Sequence, residues 1–470
     1  MNKDIAAGKN IIFDKKYCTW KIDMEAVQYA EEIEICWDGK GCRYSLELSV
    51  DDKNWIKLSK EKEFHCEGQI SKNIIKANTR YIKVILINWD IKAEASQISR
   101  ISVYTGIAAE FINGADISHL PQIEDFGGKF FNRQGERQDC LDILKEHGCN
   151  YIRLKVWNRP GLPFSDPAGY NDKTHVLQMA RRAVDKGFKL LIDFHYSDWW
   201  TDPGKQYIPE DWKGLSFEGL NTALYDFTYD VLNCLKLQGT LPQMVQIGNE
   251  ITNGMLWDIA KISEDFNTPE QWDKLCTLLK AGISAAKTVS KDIKTIIHIE
   301  RGGDSESSRY FYDRLVDRQV IHDVIGLSYY PIWHGPISDY AANIKDLSER
   351  YDKDIAVVEV AYPYTAENGD DQLNASSFPF TQIPGEYPPS VQSQADVLQA
   401  VIYELKVLPD NRGIGFFYWQ PDFIPVEGAG WKYGEGCEWD DQTLFDFKGN
   451  ALWSLDVYKL HSCFNDSRNI

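Results

Sequence analysis

The sequence predicts an α/β protein, a (β/α)8 TIM barrel preceded by a small all-β sandwich domain. From residue 108 onward, eight short apolar runs alternate with amphipathic helical stretches, as in the βα units of a parallel sheet. Residues 1–107 instead contain only short runs rich in Ile, Val and Tyr, separated by polar and Gly or Asp breaks. A length of 470 residues also suits two domains. We therefore expect a β-sandwich over 1–107 and a catalytic barrel over 108–470.

The sandwich is expected from five runs without helical periodicity: IEICW, YSLELSV, KNIIK, YIKVILINW and ISRISVY. The stretches RYSLELSVDDKNW, TRYIKVILINW and ISRISVYTG resemble the discoidin-like (coagulation factor 5/8 type C) sandwich, a fold that many carbohydrate-binding modules share. Two interpretations of this domain stay open. In the first, the domain is a carbohydrate-binding module whose tryptophans stack on sugar rings. In the second, most of these tryptophans pack in the core or between the domains. The residues concerned are Trp20, Trp37, Trp55 and Trp89.

The barrel is expected from eight strand-like runs, each followed by an amphipathic helical stretch. The predicted helical stretches are RQDCLDILKEHG, HVLQMARRAVDKG, ALYDFTYDVLNCLKLQG, EQWDKLCTLLKAGISAAKTV, SSRYFYDRLVDRQ, YAANIKDLSERYD, ADVLQAVIYELKVL and LWSLDVYKLH. Several helical stretches end in a glycine, as expected for left-handed C-terminal caps, for example Gly148, Gly187 and Gly239. The predicted strands are EFINGAD (110–116), NYIRLKVW (150–157), FKLLIDFHYSD (188–198), MVQIGNE (244–250), TIIHIER (295–301), DVIGLSYYP (323–331), DIAVVEVAY (354–362) and GIGFFYWQP (413–421).

Charge and hydropathy exclude several function classes. The formal net charge of −19 argues against a nucleic-acid partner, whose phosphates require a surface rich in Lys and Arg. No apolar run is long enough for a membrane-spanning helix. The first residues, MNKDIAAGKNIIFDKKY, have no apolar signal region, so we expect either an intracellular protein or a chain from which a signal peptide has been removed.

Polar side chains concentrate at the carboxyl ends of the predicted barrel strands, where barrel enzymes place their chemistry. Strand four ends in Glu250 and strand seven carries Glu359, both after apolar runs. A single buried Arg or His at a strand end is more often part of a structural network. Two glutamates inside a larger polar and aromatic set indicate a site. The candidate substrate contacts in this set are Arg153, His195, Asp198, Trp200, Asn249, Tyr330, Trp333, His334 and Trp419, and the set also contains Trp199, His298, Glu300, Ser328 and Tyr329.

This set of residues suits cleavage of a glycosidic bond. One carboxylic acid protonates the leaving oxygen while one carboxylate attacks the anomeric carbon, so the two groups need different pKa values. We assign the acid to Glu250 and the nucleophile to Glu359, which Arg153 keeps ionised and the hydroxyl of Tyr330 orients. Trp419 offers a face to the sugar ring. A retaining mechanism predicts carboxyl groups about 5–5.5 Å apart.

Seven stretches, spread over residues 112–460, make the barrel resemble glycoside hydrolase family 53, the endo-β-1,4-galactanases of clan A. They are GADIS, NYIRLKVWN, LLIDFHYSDWWTDPGKQ, VQIGNEITNGMLW, SYYPIWHG, VVEVAYPYTAENGD and TLFDFKGNALWSL. The resemblance implies a secreted, retaining enzyme that cuts the β-1,4-galactan side chains of pectin internally. It places the acid/base at Glu250 and the nucleophile at Glu359. The implied location is extracellular, at the cell surface or periplasmic.

The resemblance also implies substrate contacts at the candidate contact residues named above and a candidate calcium loop. The run AENGDDQLN departs from a similar bacterial calcium-binding run, and Asn368, Asp370 and Asn374 are its candidate ligands. We weigh a structural calcium equally against a solvated acidic loop, and we expect no cofactor for the chemistry. Two alternative functions stay open: a clan A hydrolase of another β-1,4-glycan, and a glycan-binding barrel without catalysis.

Overall fold

The computed structural model describes residues 4–6, 11–14, 16–37, 42–59, 61–64, 69–87, 98–161, 170–432 and 434–462. Eight parallel strands close into a barrel in which the last strand pairs with the first, with Trp419 opposite Asp116. This confirms the predicted TIM barrel. The strands are β1 (Ile112–Asp116), β2 (Tyr151–Val156), β3 (Lys189–Phe194), β4 (Met244–Ile247), β5 (Lys294–Ile299), β6 (Val324–Ser328), β7 (Asp354–Val360) and β8 (Gly413–Trp419).

Helices follow the strands as predicted, and they surround the barrel. Most begin a few residues before the predicted stretch because a polar side chain caps the first turn; Ser216, for example, accepts a hydrogen bond from the amide of Gly219. The helices are α1 (Cys140–Glu146), α2 (Lys173–Asp185), α3 (Phe217–Leu237), α4 (Pro269–Val289), α5 (Ser305–Asp317), α6 (Ile337–Tyr351), α7 (Val391–Lys406) and α8 (Asp456–His461). Short helices also lie in loops, at Leu120–Asp125 and Pro331–His334.

The barrel interior changes from apolar to polar along the strands. A buried apolar cluster contains the first inward positions of several strands, such as Tyr151, Leu191 and Ile296. Because side chains alternate across a strand, the next inward position comes two residues later. At that level β2 carries Arg153 and β3 carries Asp193. The upper layer of the interior is therefore a buried polar network at the carboxyl ends of the strands.

The N-terminal region is all-β, as predicted, and its strands pair antiparallel in one eight-stranded sheet. Two of these strands are much longer than the others, Thr19–Trp37 and Ile70–Ile87, and they pair with each other. The second of these joins two runs that the sequence predicts as separate strands, and Lys76 bulges within it at a φ of +46°. The other strands are Asp4–Ala6, Ile11–Asp14, Cys42–Ser49, Ile56–Lys57, Lys62–Phe64 and Ile98–Thr105.

The tryptophans of this sheet are mostly internal. Trp20 is 5% exposed and Trp37 is fully buried, so both belong to the core. Trp55 is partly exposed, and the Lys83 ammonium lies 3.5 Å from its ring centroid. Trp89 lies outside the described residues. The interpretation of these residues as core aromatics therefore holds for two of the four.

The sheet packs against the barrel helices α7 and α8. Lys76 donates through Nζ to the carbonyl of Lys406 at 2.8 Å, and Lys406 donates back to the carbonyl of Lys76 at 2.8 Å. Asn78 donates to the carbonyl of Ser462 at 2.5 Å, and Asp396 accepts the amide of Lys57 at 2.9 Å. Within the described ranges, no helix combines the length and apolar character needed to cross a membrane.

Candidate active site

Glu250 reaches the barrel mouth through a tight turn at the end of β4. The strand ends at Ile247, Gly248 follows at a φ of +87°, and Glu250 itself has a φ of +48°. A Cβ on Gly248 would lie 2.7 Å from the side chain of Ile251, so glycine is required at this position. The strained backbone conformation at Glu250 turns the chain out of the strand direction, and its carboxyl group lines a cleft above the barrel.

The catalytic cleft has a volume of about 370 Å³ and is lined by six of the fifteen tryptophans of the chain. Trp419 and Trp439 pack edge to face, with ring centroids 4.6 Å apart. Trp431 lies 6.0 Å from Trp419 and donates through its indole N–H to Gln420 at 3.3 Å. Trp419 and Trp439 are largely buried, whereas the other four indoles are partly exposed. Flat indoles that line a cleft in this way offer surfaces on which a sugar ring can stack. The six are Trp199, Trp200, Trp333, Trp419, Trp431 and Trp439.

Two donors hold the carboxylate of Glu359 in place. The Arg153 guanidinium donates to Oε1 at 2.9 Å, and the Tyr330 hydroxyl donates to Oε2 at 3.0 Å. Burial raises the pKa of Glu359 to about 7, and the positive charge of Arg153 opposes this rise. Both donors favour the ionised form, which is the form that a nucleophile needs.

Glu250 has a different set of neighbours. Its Oε1 accepts a hydrogen bond of 2.6 Å from the Ser328 hydroxyl. Burial, together with the carboxylates of Glu359 and Glu300, raises the pKa of Glu250 well above its ordinary value. Glu250 has a neutral donor where Glu359 has a guanidinium, so Glu359 is the more readily ionised of the two and Glu250 the one that holds its proton more tightly.

The two carboxylates are close neighbours. A carboxylate oxygen of Glu250 and one of Glu359 lie within 4.8 Å of each other, and a ring nitrogen of His298 lies within the same distance of both. Inverting hydrolases need about 6.5–9.5 Å between their carboxyl groups to admit a water molecule, whereas retaining hydrolases have about 5–5.5 Å. The spacing here fits the retaining geometry.

Arg153 is the centre of the buried network below the cleft. Only 1% exposed, it donates to Asp116 at 2.7 Å, to Asp193 at 2.9 Å and to the Asn249 side-chain oxygen at 3.0 Å, besides Glu359. Burial lowers the pKa of the guanidinium, but the surrounding carboxylates outweigh burial and raise it above its ordinary value. Asp116 and Asp193 were not among the predicted site residues, although both are charged residues on apolar strands.

A second chain of hydrogen bonds orients the Glu250 side chain. The Nε2 atom of His298, on β5, lies 2.8 Å from the hydroxyl oxygen of Ser328. That hydroxyl in turn donates a hydrogen bond to Glu250. The Nδ1 of His298 lies 2.8 Å from the Gln246 amide and 3.3 Å from the backbone N–H of Glu250. Burial holds the pKa of His298 well below its ordinary value, so the ring is neutral. His298 and Ser328 are polar residues at strand ends, but nothing in their spacing assigned them to Glu250.

Most predicted substrate contacts line the catalytic cleft. They are His195, Trp200, Asn249, Tyr330, Trp333 and Trp419. Asn249 donates one amide N–H to the carbonyl of Thr201 at 2.8 Å, which leaves its second N–H for a substrate hydroxyl. Both ring nitrogens of His195 already have protein partners, Asp193 at 3.0 Å and the Thr201 hydroxyl at 3.0 Å. The geometry therefore gives His195 a positioning role, and its contact with substrate stays a prediction.

Two further predicted contacts serve neighbouring loops. Asp198 accepts hydrogen bonds from the backbone amides of Arg159 at 2.8 Å and Glu210 at 2.7 Å, one on each carboxylate oxygen. His334 accepts the backbone amide of Tyr330 at 3.1 Å, and burial lowers its pKa to about 4. These bonds fix the segments beside the cleft, and direct contact of either residue with substrate stays a prediction.

The candidate calcium ligands are engaged in protein hydrogen bonds. Asp370 accepts the backbone amides of Gln372 at 2.8 Å and Cys437 at 2.7 Å, and the side chain of Asn368 donates to the carbonyl of Gln372. Asn374 donates to Asp440 at 2.9 Å, and its side-chain oxygen is buried without a hydrogen-bond partner. These hydrogen bonds close the loop between protein groups, and binding of calcium by the three candidate ligands stays a prediction.

Comparisons with known proteins point in the same direction as this geometry. The family model for "Glycosyl hydrolase family 53" matches residues 112–458. An endo-beta-1,4-galactanase of Bacillus subtilis is 34% identical over 403 residues, which cover 79% of this chain and 90% of the relative. An arabinogalactan endo-beta-1,4-galactanase of Cellvibrio japonicus is 33% identical over 370 residues, which cover 76% of this chain and 93% of the relative. The solved GH53 catalytic domain of Ignisphaera aggregans is 42% identical, with a TM-score of 0.71 over 76% of this chain and 98% of that one.

Proposed function

The chain belongs to glycosyl hydrolase family 53 and is a glycoside hydrolase, and on that premise we propose that it is a retaining endo-β-1,4-galactanase. The observation that carries the proposal is the short distance between Glu250 and Glu359, with carboxylate oxygens within 4.8 Å. The substrate class follows from the names of the curated relatives, which cover almost the whole barrel.

The first half of the reaction forms a covalent intermediate. A carboxylate oxygen of Glu359 attacks the anomeric carbon as the bond to the leaving oxygen breaks, and Glu250 gives its proton to that oxygen. Arg153 and Tyr330 hold Glu359 in position while positive charge develops on the sugar. The free N–H of Asn249 is placed to donate to a hydroxyl of the same sugar unit.

The second half reverses these roles. Glu250, now a carboxylate, takes a proton from a water molecule as the water oxygen attacks the anomeric carbon and releases Glu359. The two displacements leave the product with the anomeric configuration of the substrate. His298 and Ser328 keep the Glu250 carboxyl group directed at the cleft in both steps.

A direct test combines stereochemistry with covalent trapping. Proton NMR of the first products should show the β-anomer of the new reducing end before it equilibrates. A 2-deoxy-2-fluoro-galactoside with a good leaving group should label Glu359 in intact-mass and peptide analysis, and Glu359→Gln should not be labelled. An initial α-anomer would exclude retention.

Substrate specificity separates this proposal from the alternatives. Release of reducing ends should be high on β-1,4-galactan and low on mannan and xylan, with Glu359→Gln as the inactive control. Equal release from the three polymers would favour a broader clan A hydrolase. A wild-type protein as inactive as Glu359→Gln on galactan would favour a glycan-binding barrel.

We propose residues 1–107 as a module that packs on the barrel rather than a second sugar-binding site. Support comes from the burial of Trp20 and Trp37 and from the lysine contacts with α7. Affinity electrophoresis of the full chain in galactan gels should show the same retardation for Glu359→Gln with and without Trp55→Ala. A loss of retardation in the double variant would restore the carbohydrate-binding interpretation.

We further propose that the protein works outside the cytoplasm, extracellularly, at the cell surface or in the periplasm, because polymeric pectin side chains are met there. Fractionation of the source cells tests this proposal.

The loop at Asp370 is proposed to close through hydrogen bonds without calcium. Addition of calcium after treatment with EDTA should leave the unfolding temperature unchanged, whereas a clear rise would identify a calcium site.

A further inference from the structure

A second cleft continues from the catalytic cleft along the loops that follow β3 and β4. It has a volume of about 560 Å³, and Trp199 and Lys205 line both clefts. We call the second cleft the Tyr207 groove; its other aromatic walls are Tyr207 and Trp257. Its volume falls within the usual range of ligand sites, about 300–1,000 Å³.

The aromatic walls of the groove are held by backbone contacts. The backbones of Tyr207 and Trp257 pair in a parallel β-bridge, in which the amide of Trp257 donates to the carbonyl of Gln206 at 2.8 Å. The indole N–H of Trp257 donates to the carbonyl of Asn253 at 3.0 Å. The groove is therefore built on fixed backbone, although the ring of Tyr207 is 58% exposed.

The same segment is tied to the acid. The side chain of Gln206, which is buried, donates to the carbonyl of Asn249 at 2.9 Å. The residue next to Tyr207 thus contacts the turn that carries Glu250. This connection fixes the position of the Tyr207 groove relative to the point at which the glycosidic bond is cut.

We propose that the Tyr207 groove binds sugar units of the β-1,4-galactan chain that lie beyond those spanning the catalytic carboxylates, an inference that rests on the proposed function. A β-galactopyranose ring has an axial O4, which leaves an apolar C–H face that stacks on flat aromatic rings. Trp199, Tyr207 and Trp257 supply such rings. The Lys205 ammonium pairs with Asp202 and has further N–H donors for hydroxyl groups. Continuity with the catalytic cleft makes the same polymer the occupant.

The test compares substrates of increasing length. Tyr207→Ala should lower kcat/KM on galactan roughly three- to tenfold, the range expected for loss of one aromatic contact. Along a series of galacto-oligosaccharides, the loss should appear only once the chain is long enough to reach the groove. Tyr207→Trp, which keeps a flat ring, should retain the wild-type dependence on length.

Binding measurements and a matched control complete the design. In the Glu359→Gln background, calorimetry should show weaker binding of long oligosaccharides after Tyr207→Ala, with short ones less affected. Tyr229, which is 37% exposed on the outer helix α3, provides the control, and Tyr229→Ala should match wild type at every length. Wild-type cleavage of galactan with a loss in Tyr207→Ala that is absent or equal at all lengths would overturn the groove and leave the proposed function intact. No cleavage of galactan by wild type would overturn both.

Discussion

The hydrogen bond from Ser328 to Glu250 provides a sharp test of the acid assignment. In Ser328→Ala the ionised form of Glu250 loses a donor at 2.6 Å, while burial and the neighbouring carboxylates remain. Because the donor favours the carboxylate, its removal should raise the pKa of Glu250 further. Glu250 must be protonated for the first step, so the basic limb of the pH profile should move to higher pH.

The size of this shift follows from the type of hydrogen bond. A hydrogen bond to a charged group contributes about 1.5–3 kcal/mol. One pKa unit corresponds to about 1.4 kcal/mol, so complete loss of this bond raises the pKa by roughly 1–2 units. Relaxation of nearby groups, such as a water molecule in place of the hydroxyl, would bring the value toward the lower end of this range.

The assay is the pH dependence of kcat/KM on a soluble galacto-oligosaccharide. Ser308→Ala removes another buried serine hydroxyl, one that bonds the carbonyl of Arg301 at 3.1 Å, and should leave both limbs in place. An unmoved basic limb in Ser328→Ala would show that Glu250 is not the group titrating there. A limb that moved to lower pH would contradict the electrostatic argument itself.

Three further results are expected. Tyr330→Phe removes a donor to the Glu359 carboxylate, so the acidic limb of kcat/KM should move to higher pH; an unchanged acidic limb would argue against Glu359 as the ionised group. Arg153→Met leaves the buried carboxylates of Asp116 and Asp193 without their cation, so the free energy of unfolding, measured in urea, should fall by about 3–5 kcal/mol. A loss below about 1 kcal/mol would contradict the role of Arg153 as the cation that stabilises this network. Burial raises the pKa of Asp422 to about 8, so Asp422→Asn should stabilise the fold most at pH 8 and above. The gain should shrink as the pH falls from 8 toward the ordinary value of 3.8 and disappear below that value, where the wild-type carboxyl is protonated in both states; a gain independent of pH would refute this reasoning.

The sequence predicted the barrel well because its signals are local. A run such as MVQIGNE is apolar in a strand and polar at its end, and helical stretches between such runs leave few other topologies. The same local reasoning found Glu250 and Glu359 because charges after apolar runs are conspicuous. It divided the strand Ile70–Ile87 in two because nothing local marks Lys76 as a bulge within one strand.

Partners within the site depended on the register of the barrel and could not be read from spacing. The bond from His298 through Ser328 to Glu250 joins three strands whose residues are far apart in sequence. The engagement of His195 by Asp193 and Thr201 depends on how the loop after β3 folds back. Residue type predicted membership of the site, but only the positions of donors and acceptors decide which residues face the substrate.

The two glutamates control each other's protonation through their proximity. Burial is the largest cause of the raised pKa of Glu250, and the negative charge of Glu359 is the next. In the proposed mechanism, the charge of Glu359 disappears when it forms the covalent bond to the sugar, and this contribution to the pKa of Glu250 is removed. The pKa of Glu250 therefore falls after it has given up its proton as the acid, when the second step requires a carboxylate. In this mechanism the short distance between the two groups serves nucleophilic attack and also changes Glu250 from acid to base between the two halves of the reaction.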